Sequence, residues 1–471
     1  MGDRLRITGS SRPAEGGTTA TAGPRSFTVC PWKDGPNVLS GLPDSRSVKH
    51  MARLDDLLSV VDGYRNEMIE EMKAMLRIPA MGPENGGQGE FDRARYIEGL
   101  LKRCGFQEIE TYDALDERVK LRVRPSVIAR VKGRSARTIW MVSHMDTVSP
   151  GDVKAWTYPP FDGTLVDGRL YGRGSEDNGQ AVMSTLFAMR ALLDLGLEPE
   201  TSMAVAVVAD EEAGSDYGIK FLIEKGLFGK DDVFYVPDFG AEDGSVIEVA
   251  EKSIIWLKVT VRGKQVHAST PEKGLNALRV GSEFLLFLSQ HLYGKYSLKD
   301  SLFAPQHSTF EPTKRLSNVD NINTVPGEDV YFFDIRLLPQ YDPQECIETA
   351  QRLAKVYEER TGARIDVHVE RVDPAGKASS VEGDGAKALR QAVTRALGVK
   401  PTFTGIGGQT CANWFRQAGL DAYVWETLDE VAHQVDEYTK VDNLVNDAKV
   451  FAVLLAQLCF PEEFQEPAPE Y

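Results

Sequence analysis

Read by the spacing of its apolar positions, the chain becomes periodic only after about residue 53. Over 54–76 and 91–103 apolar residues recur every three or four positions with charges between them, which predicts two amphipathic helices. The runs 126–131 and 138–142 are short and apolar and predict buried strands. A helix is expected over 180–195, then a strand in the unbroken apolar run MAVAVV at 203–208, and further strands at 233–236 and 422–425. Short buried strands alternating with helices imply an α/β domain, its mostly parallel sheet covered on both faces.

Between 252 and 374 the order changes. A strand at 254–261 is followed by a helix at 275–292, strands at 308–312 and 330–338, a helix at 343–359 and a strand at 364–372. This β-α-β-β-α-β order is the ferredoxin-like arrangement. It interrupts the first unit, which resumes with a helix at 383–397. The expected organisation is a first domain in two parts, 51–251 and 375–471, with the insert at 252–374. Residues 1–50 are rich in Gly, Ser, Thr, Pro and Arg and carry a net positive charge. Such a segment cannot offset its own ordering entropy. It is expected to be a disordered extension, unless Met51 is the true start. It has no continuous apolar stretch of the kind a secretory signal needs.

Composition narrows the partners. With 42% hydrophobic and 26% charged residues in 471, the chain has the make-up of a globular protein of two domains. A net charge of −16 argues against nucleic acid or an anionic membrane as a partner, since both need a basic face. No apolar run approaches the ~20 residues that span a bilayer. Five cysteines, odd in number and without CxxC spacing, argue against a disulfide framework and for the cytoplasm.

The candidate chemistry lies where predicted strands end. His144 in WMVSHMDTV follows the strand at 138–142, at the carboxyl edge where open α/β sheets bind ligands. Asp146 is placed to accept its second ring N–H, the partner that fixes the tautomer of a metal-bound imidazole. Alone, His-x-Asp is a weak signal. In YGRGSEDNGQ, glycines at 172, 174 and 179 bracket Asp177 ahead of a helix, without the lysine or spacing of a phosphate loop. The strand in VVADEEAGS ends in Asp210, Glu211 and Glu212, Asp238 follows another strand in YVPDFG, and His433 lies in VAHQVDEY. Two imidazoles and three carboxylates (His144, Asp177, Glu212, Asp238 and His433) make a mixed N/O set suited to Zn²⁺, and also to Co²⁺ or Mn²⁺.

Taken in order, HMDTVSPGD, Trp156 and PPF, GRGSED, DEEAGS, HASTPEKGLNA, NTVPG and HQVDE resemble the acetylornithine deacetylase, succinyl-diaminopimelate desuccinylase and carboxypeptidase G group, the family-20 zinc metallopeptidases. The resemblance runs from about residue 54 to the end. It implies that His144 and Asp238 hold one metal ion, Glu212 and His433 a second, and that Asp177 bridges them. It further implies Glu211 as general base, Asp146 as the partner of His144, and a cis peptide between Asp177 and Asn178. The insert becomes a lid and dimerisation domain in which His267 stabilises an oxyanion and Asn323 and Arg336 contact substrate. Two departures stand out: Asp177-Asn178-Gly179-Gln180 replaces the common Asp-Met-Lys-Gly, and Asp238 stands where the deacylases have Glu, as in dipeptidase-like relatives. Near GIGGQTCANW the usual acidic pattern is absent, and Cys411 there reads as a packing residue.

The function expected is hydrolysis of an amide bond in a small N-acyl amino acid by metal-activated water, in a cytoplasmic homodimer joined through the insert. A dipeptidase or aminopeptidase is the alternative within the family, and a non-catalytic binding scaffold the alternative outside it.

Overall fold

The computed structural model describes residues 54–464. The extension read at 1–50 lies outside them. An eight-stranded sheet forms the centre, in the order Glu108–Leu115, Val123–Val131, Thr201–Val208, Ser135–His144, Val233–Gly240, Asp421–Glu426, Val246–Glu251, Thr402–Ile406. The four middle strands run parallel, Thr201–Val208 through Asp421–Glu426, so their carboxyl ends emerge along one edge. Antiparallel neighbours flank them. The middle strands carry unbroken apolar runs because both faces are covered.

One face packs against the helices Gln180–Asp194 and Val441–Cys459, which are apolar around most of their circumference and buried accordingly. Trp425, on the sheet, meets Phe451 of the second helix edge to face at 5.7 Å. The other face packs against two short helices, Ile219–Glu224 and Ala412–Gln417, with Phe415 stacked on Phe234 at 3.8 Å. The helix read at 54–76 is two helices, Leu54–Gly63 and Arg65–Leu76. Between them Tyr64 turns its ring onto Phe187 and its hydroxyl to Asp194, an attachment that one continuous helix does not need. Three strands of the central sheet, Glu108–Leu115, Val246–Glu251 and Thr402–Ile406, were not read from the pattern. The first and last of these are edge strands with weak apolar alternation.

Ser253–Arg262, Thr309–Arg315, Glu328–Leu337 and Arg364–Asp373 form a second sheet, ordered Thr309–Arg315, Glu328–Leu337, Ser253–Arg262, Arg364–Asp373, with every neighbour antiparallel. The helices Ala277–Lys295 and Pro343–Thr361 cover one face and share its core, built on Leu257, Phe284, Phe333 and Tyr357. Opposite them, Trp256, Asp334, Arg336 and Arg371 lie on the uncovered face.

The chain crosses between the sheets at 251–253 and 373–375, and both crossings are fastened by polar groups. Gln409 Nε2 donates to the carbonyls of Lys252 (3.3 Å) and Asp373 (3.1 Å), one on each crossing. Asn413 bridges Pro374 and Gly376, and the Ser253 hydroxyl accepts from the amide of Ala375 at 2.8 Å. Beneath them the buried Arg416 makes two hydrogen bonds to the Glu248 carboxylate, at 2.7 and 3.0 Å. Arg416→Ala is therefore expected to lower the unfolding free energy by about 3–5 kcal/mol, since it strands a buried carboxylate. Arg65→Ala, which breaks the exposed pair with Asp442, should cost at most ~1 kcal/mol. Urea unfolding of the two variants checks this, and comparable losses would refute the role given to the buried pair.

Candidate metal centre

All five expected ligand residues meet at the carboxyl edge of the parallel strands. His144 closes its strand and is 2% exposed. Its Nδ1 lies 3.1 Å from the Asp146 carbonyl and 3.4 Å from its carboxylate, while that carboxylate accepts the amides of Glu211 (3.0 Å) and Glu212 (3.1 Å). Asp146 thus ties the imidazole to the acidic turn of the adjacent strand. That turn is bent sharply at Asp210, whose φ is +65°, a left-handed conformation rarely taken by non-glycine residues. Asp210 is held there by its own acceptors: its carbonyl takes the amide of Ser215, its carboxylate takes that of Tyr217, and the buried Arg124 lies 3.1 Å away. Arg124 is also paired with the fully buried Glu90.

Asp177 sits in the turn leading into the helix Gln180–Asp194, and the Asp177–Asn178 peptide is cis. Gly174 opens that turn with φ +81°, and a Cβ there would lie 2.4 Å from the Thr147 methyl, so both conformation and space require glycine. The amides of Glu176 and Asp177 donate to one oxygen of Glu437, whose other oxygen accepts from Arg173. Glu176 in turn accepts the amides of Asp429, Val431 and Ala432 at 2.6–2.8 Å, fixing the loop that carries His433. Asp238 lies near the end of its strand and accepts from Asn178 Nδ2 at 3.2 Å.

The two oxygens of Asp177 face two different rings. Oδ1 is 2.9 Å from His144 Nε2, which is 3.5 Å from Asp238; Oδ2 is 3.0 Å from His433 Nε2, which is 3.1 Å from Glu212. Two groups result, His144–Asp177–Asp238 and Asp177–Glu212–His433, each compact enough for its donors to surround one ion. The shared carboxylate is what two neighbouring cations require.

The electrostatics ask for positive charge here. Burial pushes Glu212 up to about 7 and Asp238 up to about 6, with Asp177 adding repulsion in both cases. Hydrogen bonds to Asp177 and Glu212 push His433 up to about 10. Burial pulls the His144 imidazole down, but Asp146, Asp177 and Asp238 outweigh it and hold the ring well above its usual range. His144 Nε2 is a buried nitrogen that lies close to the Asp177 and Asp238 oxygens yet completes no well-directed hydrogen bond to either. An orphaned ring nitrogen among carboxylate oxygens fits divalent cations in place of protons. Glu211 belongs to neither group. Burial and the neighbouring Asp238 push its carboxyl well above the usual carboxylate range.

These residues form one wall of a cleft of about 470 Å³. The insert supplies the facing wall with Ile254, Trp256, Arg336 and Arg371, and the loop 406–410 adds Ile406, Gly408, Gln409 and Thr410. Of the three insert residues expected to act, Arg336 lines the cleft. His267 ends the short strand Val266–His267 and Asn323 immediately precedes its partner Thr324–Val325; both residues are exposed and neither lines the cleft of their own chain. Cys411 is buried and outside the cleft lining. The supports Glu176, Glu437, Glu90 and Arg124, and the cleft residues Trp256, Arg371 and Trp414, were not singled out from the sequence. GRGSED holds Glu176 beside Asp177, and HQVDE holds Glu437, so the quoted motifs already contained two of them.

The family model for peptidase family M20/M25/M40 matches residues 140–457. An uncharacterized metallohydrolase of Methanocaldococcus jannaschii is 34% identical over 410 residues, covering 83% of this chain and 98% of the relative. A succinyl-diaminopimelate desuccinylase of Wolinella succinogenes is 25% identical over 377 residues, covering 79% and 94%. Among solved structures, the dipeptidase Dug1p of Saccharomyces cerevisiae shares the fold with a TM-score of 0.66 at 16% identity, covering 85% of this chain and 98% of its own.

The geometry separates the adjacent glutamates. Glu212→Gln is expected to bring bound divalent metal down toward one ion per chain, and Glu211→Gln to leave it at the wild-type level. Elemental analysis of the purified variants decides this; the opposite pattern would reverse the two assignments.

Proposed function

The chain belongs to peptidase family M20/M25/M40 and is a metallohydrolase, and from that premise we propose that it is a two-ion amidohydrolase acting on small N-acyl amino acids. The observation that carries this reading is the Asp177 carboxylate presenting one oxygen to each of two imidazole-carboxylate groups, beside a buried Glu211 outside both. His144 and Asp238 would hold one ion, Glu212 and His433 the other, with Asp177 common to both; zinc suits this donor set best, and cobalt or manganese also fit. When bound, the ions supply Lewis-acid polarisation of the amide carbonyl and lower the pKa of water.

The remaining work falls to side chains. Glu211 takes a proton from the attacking water and delivers it to the amine nitrogen as the C–N bond breaks, a role open to it because it lines the cleft beside both groups and belongs to neither. Arg336 orients the substrate from the insert wall, and Asn323 is the second substrate-contacting residue of the insert. His267 of the partner subunit donates to the oxyanion. Its exposure in its own chain supports that in-trans role, as does the insert's exposed edge strand Thr309–Arg315, with Leu278 and Leu286 exposed on the adjoining helix, as a dimer surface. Among the described residues no helix is long and apolar enough to cross a membrane; the cytoplasm is the proposed location. A dipeptidase or aminopeptidase is the second reading, favoured by Asp238 as the third carboxylate. A binding scaffold without chemistry leaves Glu211 unexplained.

Chelation is expected to abolish amide hydrolysis and Zn²⁺ or Co²⁺ to restore it, assayed on N-acyl amino acids and on dipeptides with free and blocked amines. Cleavage that requires a free amine selects the second reading, and full activity in metal-free protein rules out both. Glu211→Gln should reduce the rate about 10²–10⁴-fold.

The in-trans role of His267 is tested by refolding His267→Ala and Glu211→Gln together. One site of each mixed dimer then has both groups intact, and activity should return to about a quarter of wild type. If each variant alone and the mixture are equally inactive, His267 does not serve a neighbouring site.

A further inference from the structure

We infer that Arg371 is a specificity-determining residue that binds a carboxylate of the substrate remote from the scissile amide, so that the amides this chain prefers are dianions. The inference rests on the amide-hydrolysing reading for its substrate class, but its basis is the geometry of the insert wall.

Arg371 lies on the edge strand Arg364–Asp373, opposite Trp256 of the central strand, which in turn lies opposite Asp334. Its guanidinium lies over the Trp256 ring, 5.1 Å from the centroid, and its Nε donates to Asp373. The ring contact and the Nε bond together hold the side chain in place along the cleft. Both terminal nitrogens are left without a hydrogen-bond partner among the described residues, on a side chain that lines the cleft. A fork held in this way has already lost the rotamer freedom that binding would otherwise remove, and it matches the two oxygens of a carboxylate.

Arg336, the other cleft arginine, is differently committed. Its Nε and one terminal nitrogen donate to Asp334 at 2.7 and 3.0 Å, and its second terminal nitrogen donates to the Gly407 carbonyl at 2.9 Å. The two arginines stand on the strands either side of Ser253–Arg262, two strand spacings apart across the sheet, about 10 Å, and offset by two residues along it, since Arg336 lies opposite Ile254 and Arg371 opposite Trp256. Ile254 and Trp256 occupy the strand between them. All the donor nitrogens of Arg336 are therefore engaged, whereas Arg371 commits only its Nε, so the unengaged guanidinium donors on this wall are those of Arg371, across the apolar surface of Ile254 and Trp256. An N-acyl amino acid that carries a second carboxylate on its acyl chain can use that fork; a neutral acyl chain leaves it unused.

Two measurements test this on metal-loaded protein. In the first, kcat/KM is compared for N-glutaryl-L-leucine and N-pentanoyl-L-leucine, which have equal acyl length and differ in one terminal carboxylate. In the second, calorimetry compares binding of dicarboxylates of four to eight carbons with monocarboxylates of the same length. Wild type should favour the dianion by tenfold or more in both, about the scale of a charge-assisted hydrogen bond. In R371M the preference should fall several-fold, through KM rather than kcat.

Because R371M leaves the Asp373 carboxylate unpaired, R371M/D373N is measured beside it. Equal loss in both variants assigns the effect to the missing fork, whereas recovery of the preference in the double variant would overturn the inference. R371K, which keeps charge but not the fork, should retain part of the preference. A wild type without preference, or a preference that survives R371M, also overturns it. Arg371-dependent dicarboxylate binding with no cleavage of either amide would sustain the inference and defeat the amidohydrolase reading.

Discussion

One carboxylate shared between two imidazoles organises this protein. Asp177 can face His144 and His433 at once only if its backbone is held in a non-helical turn at the head of a buried helix. That turn is kept in place by acceptors that do nothing else. Glu437 takes the two amides that precede and include Asp177, and Arg173 holds Glu437. Glu176, next in sequence to Asp177, points away from the cluster and secures the loop of His433. Neighbouring carboxyls in one short motif therefore divide the labour, one in the cluster and one beneath it. Burial pushes Glu437 up to about 7, and repulsion from Asp177 adds to it. Cations in the cluster relieve that repulsion directly, which couples the fold's electrostatics to its chemistry.

The same logic recurs on the other side. Asp146 receives two amides from the Glu211–Glu212 turn, and Arg93, fully buried, donates to the carbonyl of Met145 beside it. Arg124 stabilises the left-handed Asp210 from behind while paired to Glu90. Neither arginine reaches the cleft. Their role is positional, and it explains why a chain with an excess of acidic residues buries several arginines completely.

Much of this was legible in the sequence, for a physical reason. Buried parallel strands need uninterrupted apolar runs, so acidic and histidine residues that follow such a run must emerge at the sheet edge. His144, Glu211, Glu212 and Asp238 announce themselves in that way. The insert was legible because its strands alternate and its helices are amphipathic. What stayed hidden depends on contacts distant in sequence. Whether Glu176 or Asp177 faces the cluster is decided by the loop at 429–432, some 250 positions away. By simple alternation Arg371 would share the core-facing side of Ile365, Val367 and Val369; the register shift between Val369 and Arg371, which no pattern announces, turns it to the uncovered face over Trp256. His267 carries a recognisable motif, yet the motif does not say which subunit's cleft it serves.

The cleft has its two walls on different sheets. A metal cluster needs rigid donors, which the parallel strands and their buried supports supply. The facing wall is built differently, from side chains on the one uncovered face of the second sheet. The loop 406–410 mediates between them. It continues a strand of the central sheet and lines the cleft, while Gln409 clasps both crossings and Gly407 accepts from Arg336. Any rotation of the insert about its crossings must therefore stretch bonds made by the cleft's own lining. Arg336 and Arg371 ride on one sheet and move as a pair, whereas their distance from Asp177 is set by that clasp. The polar fastening at 251–253 and 373–375 does more than join two sheets: it fixes how far the one carrying Arg336 and Arg371 stands from the one carrying Asp238.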